Sequence, residues 1–93
     1  MEVVSGSFCW DEFKEDQNIL KHDVCFIAAS KAFFDPSCSV FKDDAHSSVE
    51  ERWFCIGMVD GRPMTVRFTY RDQRIRIIGA GYWRSRRRYY YEK

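Results

Sequence analysis

The residues of this sequence best suited to bind an anion or stabilise a reacting phosphate are four arginines that recur along two adjacent segments. They are Arg67, Arg71, Arg74 and Arg76. Alternation with apolar residues is typical of strands that have one buried face, so the stretch from Pro63 to Gly79 is predicted to form a β-hairpin. Like charges on one sheet face repel one another, so this face needs an acidic partner. The partner is a phosphate backbone, an acidic protein or the acidic half of the same chain.

The sequence allows two turns for this hairpin, Arg71-Asp72 or Asp72-Gln73. In either register the four arginines share one face with Thr69, and the other face is apolar. The apolar residues are Val66, Phe68, Ile75 and Ile77. Arg76 lies in the middle of its strand, where neighbours hold the side chain upright. It is therefore expected to contribute more to a reaction at this face than Arg71 or Arg74, which lie nearer the turn.

The charge of the chain is divided unevenly along its length. Residues 1–50 contain ten Asp/Glu and four Lys, for a net charge of −6, whereas residues 51–93 contain eleven Lys/Arg and four Asp/Glu, for +7. Ten of these eleven are arginine, whose planar guanidinium suits phosphate and carboxylate better than an ammonium group does. The division favours a nucleic-acid face, a face for an acidic partner, or neutralisation within the fold.

The length of 93 residues is enough for one domain with a modest core, and residues 1–93 are predicted to form a single domain. No apolar run reaches the roughly 20 residues of a membrane helix, and the N-terminus lacks the regions of a signal peptide. A cytoplasmic protein without membrane contact is therefore expected. The four cysteines form no CxxC pair, so reduced thiols are expected rather than a zinc site, and no cofactor is predicted.

The remaining segments predict an α+β fold. A short edge strand at 7–10 precedes a helix at 12–22. Its side that faces the core is expected to be lined by Trp10, Phe13, Leu20 and Val24. The later elements are a second helix at 25–34, strands at 38–41 and 52–59, a hairpin turn at Asp60-Gly61, and a C-terminal helix or frayed tail at 83–92. Together they predict an antiparallel sheet of about four strands, with two N-terminal helices on one face and a C-terminal helix. The other face is expected to stay partly open and to carry the arginines.

An ordered set of motifs over about residues 8–80 resembles the BrnT family of bacterial type II toxin–antitoxin systems. The first half contributes F-x-W-D-E-x-K (Phe8, Trp10, Asp11, Glu12, Lys14), N-x-x-K-H (Asn18, Lys21, His22) and F-x-D-P (Phe33, Asp35, Pro36). The second half contributes D-x-H-S-x-x-E-E-R-x-x-x-I-G (Asp44, His46, Ser47, Glu50, Glu51, Arg52, Ile56, Gly57), F-T-x-R (Phe68, Thr69, Arg71) and I-R-I-I at residues 75–78. Each motif alone is weak, but the ordered set is specific.

The resemblance implies a RelE-like toxin domain with ribonuclease activity that inhibits translation. It also implies neutralisation by a BrnA-type antitoxin with a ribbon-helix-helix domain, through which the complex binds operator DNA and represses its own operon. Because such domains are dimers, a complex of two toxins and two antitoxins is expected. The sequence departs from the family's I-I-S-A-R motif, since Gly79 and Gly81 replace the serine and the arginine. If that arginine normally stabilises the transition state, this chain is an attenuated ribonuclease.

Metal-independent RNA cleavage needs a base for the 2′-hydroxyl, cations for the phosphate and an acid for the leaving 5′-oxygen. The predicted catalytic residues are Arg76, Arg71, Glu51, His46 and Arg67, with His22 as a further acid/base candidate. The predicted RNA-binding residues are Lys21, His22, Thr69, Arg74, Arg84, Arg86 and Arg88. The predicted antitoxin-binding residues are Tyr82, Trp83, Tyr89, Tyr90 and Tyr91, because aromatic residues beside arginines suit an interface or base stacking.

Each of these residues also has a purely structural explanation. The arginine face is then solvated or paired within the chain, Glu51 and Arg52 form an ion pair at a strand edge, and the C-terminal segment is a solubilising tail. Two other functions stay open beside the ribonuclease: a non-catalytic nucleic-acid-binding module and an interaction domain that only holds an acidic antitoxin segment. Cleaved RNA, a salt-dependent gel shift of intact RNA, or neither result distinguishes the three.

Overall fold

The computed structural model describes residues 1–92, which form six β-strands and three α-helices. The strands are β1 (Glu2–Ser5), β2 (Phe8–Asp11), β3 (Ser39–Lys42), β4 (Trp53–Val59), β5 (Arg62–Arg71) and β6 (Arg74–Gly81). The helices are α1 (Glu12–His22), α2 (Phe26–Ser30) and α3 (Arg87–Tyr91), and short 3-10 turns lie at Lys31–Phe34, Asp44–His46 and Arg84–Arg86. In the part of the chain described, no helix has the length and apolarity needed to cross a membrane.

All six strands form one mixed sheet in the order β1-β2-β6-β5-β4-β3. Every neighbouring pair is antiparallel except β2 and β6, which run parallel. The α+β class was predicted correctly, but the prediction of about four antiparallel strands was wrong. Strand β1 is four residues long and was missed, because its pairing with β2 and the ion pair of Glu2 with Arg76 are not visible in a local pattern. Strand β2 lies inside the sheet because it pairs with β6 more than sixty residues away, which no local pattern reveals.

The first face of the sheet is covered by α2 and the 3-10 turn that follows it. Phe26 is fully buried there, and the ring of Phe33 packs edge-on against Phe68, with centroids 5.0 Å apart. Gly57 of β4 allows this turn to lie close to the sheet, since a Cβ at that position would be 2.1 Å from the carbonyl oxygen of Ala32. The core therefore lies between the sheet and this short helical segment.

Strands β5 and β6 form the predicted hairpin, and its turn is Asp72-Gln73. Both turn residues have positive φ, 52° and 64°, as a two-residue type I′ connection requires. Thr69 consequently pairs with Arg76, which decides between the two registers that the sequence allowed.

A β-bulge interrupts this hairpin beside Arg67. Phe68 pairs with Ile77 whereas Arg67 pairs with Gly79, so Ile78 is the extra residue on β6. Bulges redirect neighbouring side chains and are frequent next to functional sites. Here the bulge separates Arg67 from the other hairpin arginines, which lie nearer the turn.

Helix α1 lies along the edge of β6, so the prediction of two N-terminal helices on one face of the sheet was wrong. The side-chain amide of Asn18 donates to the carbonyls of Ala80 and Val24, each at 2.9 Å, and accepts from the Ala80 N–H at 3.0 Å. The Asn18 amide thus makes the hydrogen bonds to Ala80 that a neighbouring strand would make, at a part of β6 with which β2 does not pair. The predicted inward side was correct for Trp10 and Val24, which are buried, and wrong for Phe13 and Leu20, which are 66% and 80% exposed. Within the helix the buried residue is Asn18.

The second face of the sheet is covered at one end by the C-terminal segment, which is helical rather than frayed. The ring of Tyr89 packs against Phe41 with centroids 5.0 Å apart, and the guanidinium of Arg86 lies 4.2 Å from the centre of the Phe54 ring. The same face carries Arg67 together with the arginines near the hairpin turn.

Candidate active site

The arginines near the hairpin turn are held by contacts within the chain. The guanidinium of Arg76 is only 14% exposed and is ion-paired with Glu2. This hydrogen-bonded pair raises the pKa of Arg76 and lowers the pKa of the Glu2 carboxyl. The Nε of Arg74 donates to the carbonyl of Gly6 at 3.2 Å. Both contacts fasten the β1–β2 hairpin to β6, which is a structural role.

The predicted residues around Glu51 also have partners within the chain. Arg71 donates to the carboxylate of Glu50 at 3.2 Å. Thr69 is 3% exposed, and its hydroxyl donates to the backbone carbonyl of Glu51 at 2.7 Å. The carboxylate of Glu51 lies 3.6 Å from the Lys42 ammonium on the surface. These contacts anchor the loop before β4, and they leave the Glu51 carboxylate outside the cavities that surround Arg67.

Arg67 is shared by two neighbouring cavities, which together are called the Arg67 groove. The first has a volume of about 390 Å³, and its polar lining includes Lys14, Gln17, Lys21, His22, Arg52 and Arg67. The second has a volume of about 240 Å³ and is lined by His46, Phe54, Thr65, Arg67, Trp83, Ser85 and Arg86. The chain contains two histidines, and the groove places one in each cavity.

The groove contains guanidinium donors that the described residues leave unused. The Nε atoms of Arg67 and Arg52 are buried and have no hydrogen-bond partner within residues 1–92. The Arg67 guanidinium lies beside Gly79, where a Cβ would be 3.5 Å from its Nη2. Arg52 approaches one carboxylate, that of Glu50, with its Nη2 at 3.7 Å. Unused buried donors are costly, so this arrangement is best satisfied by an anionic ligand with several acceptor oxygens.

The imidazole of His46 is oriented by a buried carboxylate. Its Nδ1 lies 2.9 Å from Oδ2 of Asp43, which is 4% exposed. Asp43 is fixed in turn, because its N–H donates to the carbonyl of Arg52 at 2.7 Å and its carbonyl accepts from the Ser47 hydroxyl at 2.6 Å. A proton on Nδ1 therefore satisfies Asp43 and leaves the Nε2 lone pair available. Asp43 was missed in the sequence, where its one signal was its place three residues before His46.

His22 ends α1 and faces the first cavity together with Lys21. Its ring contacts the indole of Trp83, with centroids 5.0 Å apart and planes at 74°. Trp83 belongs to the second cavity. This contact between the rings of His22 and Trp83 therefore connects the two cavities of the groove.

The C-terminal tyrosines that were predicted to bind an antitoxin mostly contact this chain. The hydroxyl of Tyr82 donates to the carbonyl of Val59 at 3.1 Å, and that of Tyr90 donates to Asp35 at 2.6 Å. The latter contact raises the pKa of Tyr90. Tyr91 is 62% exposed. Of the predicted tail residues, Tyr91 is thus the one most available to a partner.

Two predicted RNA-binding arginines of the tail lie outside the groove. Arg84 lines a separate cavity with Tyr82 and Arg62. Arg88 lies 5.2 Å from the centre of the Tyr89 ring, and its hydrogen bond lowers the pKa of Tyr89. Arg86 differs from both, because it is a wall of the groove.

Comparison with protein-family models identifies the family of this chain. Residues 10–86, which are 77 of the 93, match a family model described as the ribonuclease toxin BrnT of type II toxin–antitoxin systems. No curated protein matches the chain. The matched range includes Arg67, both histidines and the loop that carries Asp43. The chain therefore belongs to the BrnT family of type II toxin–antitoxin ribonuclease toxins.

Proposed function

We propose that this chain, acting as a single toxin domain in the cytoplasm, cleaves RNA in the Arg67 groove without a metal ion and so inhibits translation. The observation that carries the proposal is the distribution of its two histidines, one in each of the two cavities that share Arg67. Paired acid/base groups around a cation are what internal cleavage of RNA requires. In this proposal Arg67, rather than Arg76, is the cation that stabilises the reacting phosphate.

The first step is attack of the 2′-hydroxyl oxygen on the adjacent phosphorus. His46 accepts the 2′-hydroxyl proton at Nε2, and the carboxylate of Asp43 stabilises the imidazolium that forms. Asp43 also prevents the ring from turning its lone pair away from the groove. This is the role of an orienting carboxylate, and its burial behind the histidine supports it.

The second step expels the 5′-oxygen of the next nucleotide. The extra charge on the phosphate is stabilised by Arg67, with Arg52 and Lys21 beside it. His22 supplies the proton that the leaving oxygen needs. The products are a 2′,3′-cyclic phosphate and a 5′-hydroxyl end, and no water, metal ion or redox partner is consumed.

Cleavage should persist when divalent metal ions are removed. Purified protein is mixed with a single-stranded RNA in excess EDTA, and the ends of the products are identified by mass spectrometry. Cyclic phosphate and 5′-hydroxyl ends are expected. The Arg67→Ala variant, purified in the same way, reports any contaminating nuclease. Loss of cleavage in EDTA with recovery on adding magnesium would contradict the metal-free mechanism, and a salt-dependent gel shift without cleavage would favour the non-catalytic alternative.

The antitoxin is proposed to be a BrnA-like ribbon-helix-helix protein that covers the Arg67 groove. The groove offers unused guanidinium donors, and the exposed Phe13 lines it. Leu20 is a second exposed apolar residue of α1. An antitoxin segment with acidic and apolar side chains would satisfy both features. The complex is proposed to bind operator DNA through the antitoxin and to repress its own operon.

The complex with the antitoxin should contain two copies of each chain, because ribbon-helix-helix domains dimerise. Light scattering of the co-purified complex measures this mass directly. A Phe13→Ser, Leu20→Ser variant should bind antitoxin more weakly, while Val40→Ser, at a residue 51% exposed on β3, serves as the matched control. A stable one-to-one complex would contradict the stoichiometry.

A further inference from the structure

Trp83 packs closely against Gly81 at the end of β6. A Cβ at Gly81 would lie 3.0 Å from both Cη2 and Cζ2 of the Trp83 ring, which is closer than such contacts normally are. The ring also contacts the imidazole of His22, with centroids 5.0 Å apart and planes at 74°. The indole therefore lies next to both Gly81 and His22, the proposed general acid.

The indole differs from the core tryptophan of this chain. Trp10 is 2% exposed, and its N–H donates to Glu15 at 3.2 Å. Trp83 is half-buried and faces a cavity, and within residues 1–92 its N–H meets no protein acceptor. A half-buried ring with an unused donor can accept a flat polar ligand, whereas a core ring cannot.

The cavity beside Trp83 has the composition of a nucleobase site. Its volume is about 240 Å³, and it holds a second planar group, the Arg86 guanidinium, which lies 4.2 Å from the centre of the Phe54 ring. The hydroxyl residues Thr65 and Ser85 also line it. Single-stranded bases stack on aromatic rings and guanidinium planes and use polar groups at their edges. Arg67 belongs to this cavity as well, so a base here would adjoin the phosphate at Arg67.

We propose that Trp83 stacks on the nucleobase next to the scissile phosphate and that Gly81 provides the space this ring needs. The inference rests on the proposed function, because it assigns a base subsite to the same groove. The indole holds the base beside the scissile phosphate, and the histidines and Arg67 perform the cleavage.

The experiment is a double-substitution cycle between the indole and the base. A short oligonucleotide with a 2′-deoxy sugar at the cleavage site is bound to the protein, and a matched oligonucleotide lacks one base beside that site. Trp83→Ala should weaken binding of the intact oligonucleotide roughly 10- to 100-fold. It should have little effect on the oligonucleotide without the base, because the stacking partner is already absent. Equal losses on both oligonucleotides would overturn the proposal.

Three further variants separate stacking from a structural role. Trp83→Phe should keep most of the binding, because a phenyl ring still stacks. Gly81→Ala should weaken binding in the parent but add nothing to Trp83→Ala, since its Cβ acts by displacing the indole. Tyr70→Ala, at a residue 60% exposed outside the groove, is the control and should bind normally. Additive losses for Gly81→Ala and Trp83→Ala would also overturn the proposal.

The binding assay separates this inference from the proposed function. If the parent binds the intact oligonucleotide in the expected Trp83-dependent way but cleaves no RNA, the ribonuclease proposal fails and the base subsite stands. If the parent cleaves RNA and the cycle shows no coupling, the base subsite fails and the ribonuclease proposal stands.

Discussion

Replacing Arg67 with alanine is expected to reduce the rate of RNA cleavage on the order of 10²–10³-fold. The guanidinium is already positioned, its Nε is buried, and no group within residues 1–92 satisfies that donor. A cation held in this way stabilises the developing charge without first reorganising. Single-turnover cleavage of a defined RNA measures the effect, and Arg67→Lys should recover only part of it because lysine lacks the planar fork.

The melting temperature of Arg67→Ala should stay close to that of the parent. The substitution removes the packing of the Arg67 methylene groups, which lowers stability. It also removes a buried N–H donor that has no partner, and this gain largely offsets the loss. Arg74→Ala is the matched control, since it removes a charge from the same face outside the groove and should cleave normally. Arg76→Ala should instead melt at a lower temperature, because it leaves Glu2 without its ion-pair partner. Normal cleavage by Arg67→Ala would remove the groove from the mechanism.

The sequence predicted those parts of the fold that depend on local periodicity. The β5–β6 hairpin, the turn at Asp60-Gly61 and the α2 segment follow from alternation, positive-φ turn residues and helical spacing. The parallel pairing of β2 with β6 depends on contacts between distant parts of the chain. The exposed Phe13 shows the same limit, since the apolar spacing of α1 correctly predicts a helix but the buried position belongs to Asn18.

The sequence also predicted the types of residue in the candidate site better than their arrangement. Arg67 and Arg76 looked equivalent in an alternating pattern. The bulge at Ile78 and the acidic Glu2 of β1 make them different, and neither feature is visible from spacing. Asp43 was missed because a carboxylate in a polar loop is ordinarily solvated, whereas here the Arg52 and Ser47 contacts bury it behind His46.

Replacing either histidine is expected to reduce cleavage on the order of 10²–10⁴-fold, as loss of a general acid or base does. His46→Ala removes the proposed base, and Asp43→Asn should cause a smaller loss by allowing the wrong ring nitrogen to face the groove. His22→Ala removes the proposed acid. Circular dichroism and melting of each variant establish that the fold is intact, and Glu51→Gln should leave the rate unchanged because its carboxylate lies outside the groove.

A substrate with sulfur in place of the leaving 5′-oxygen assigns the two roles. A thiolate leaves without a proton, so this substrate no longer needs an acid but still needs a base. His22→Ala should therefore cleave the sulfur substrate at a rate near that of the parent, whereas His46→Ala and Asp43→Asn should stay slow on it. If His46→Ala alone cleaves the sulfur substrate at the parent's rate, then His46 is the acid and His22 the base. If both variants cleave ordinary RNA like the parent, neither histidine takes part and Arg67 acts with another base.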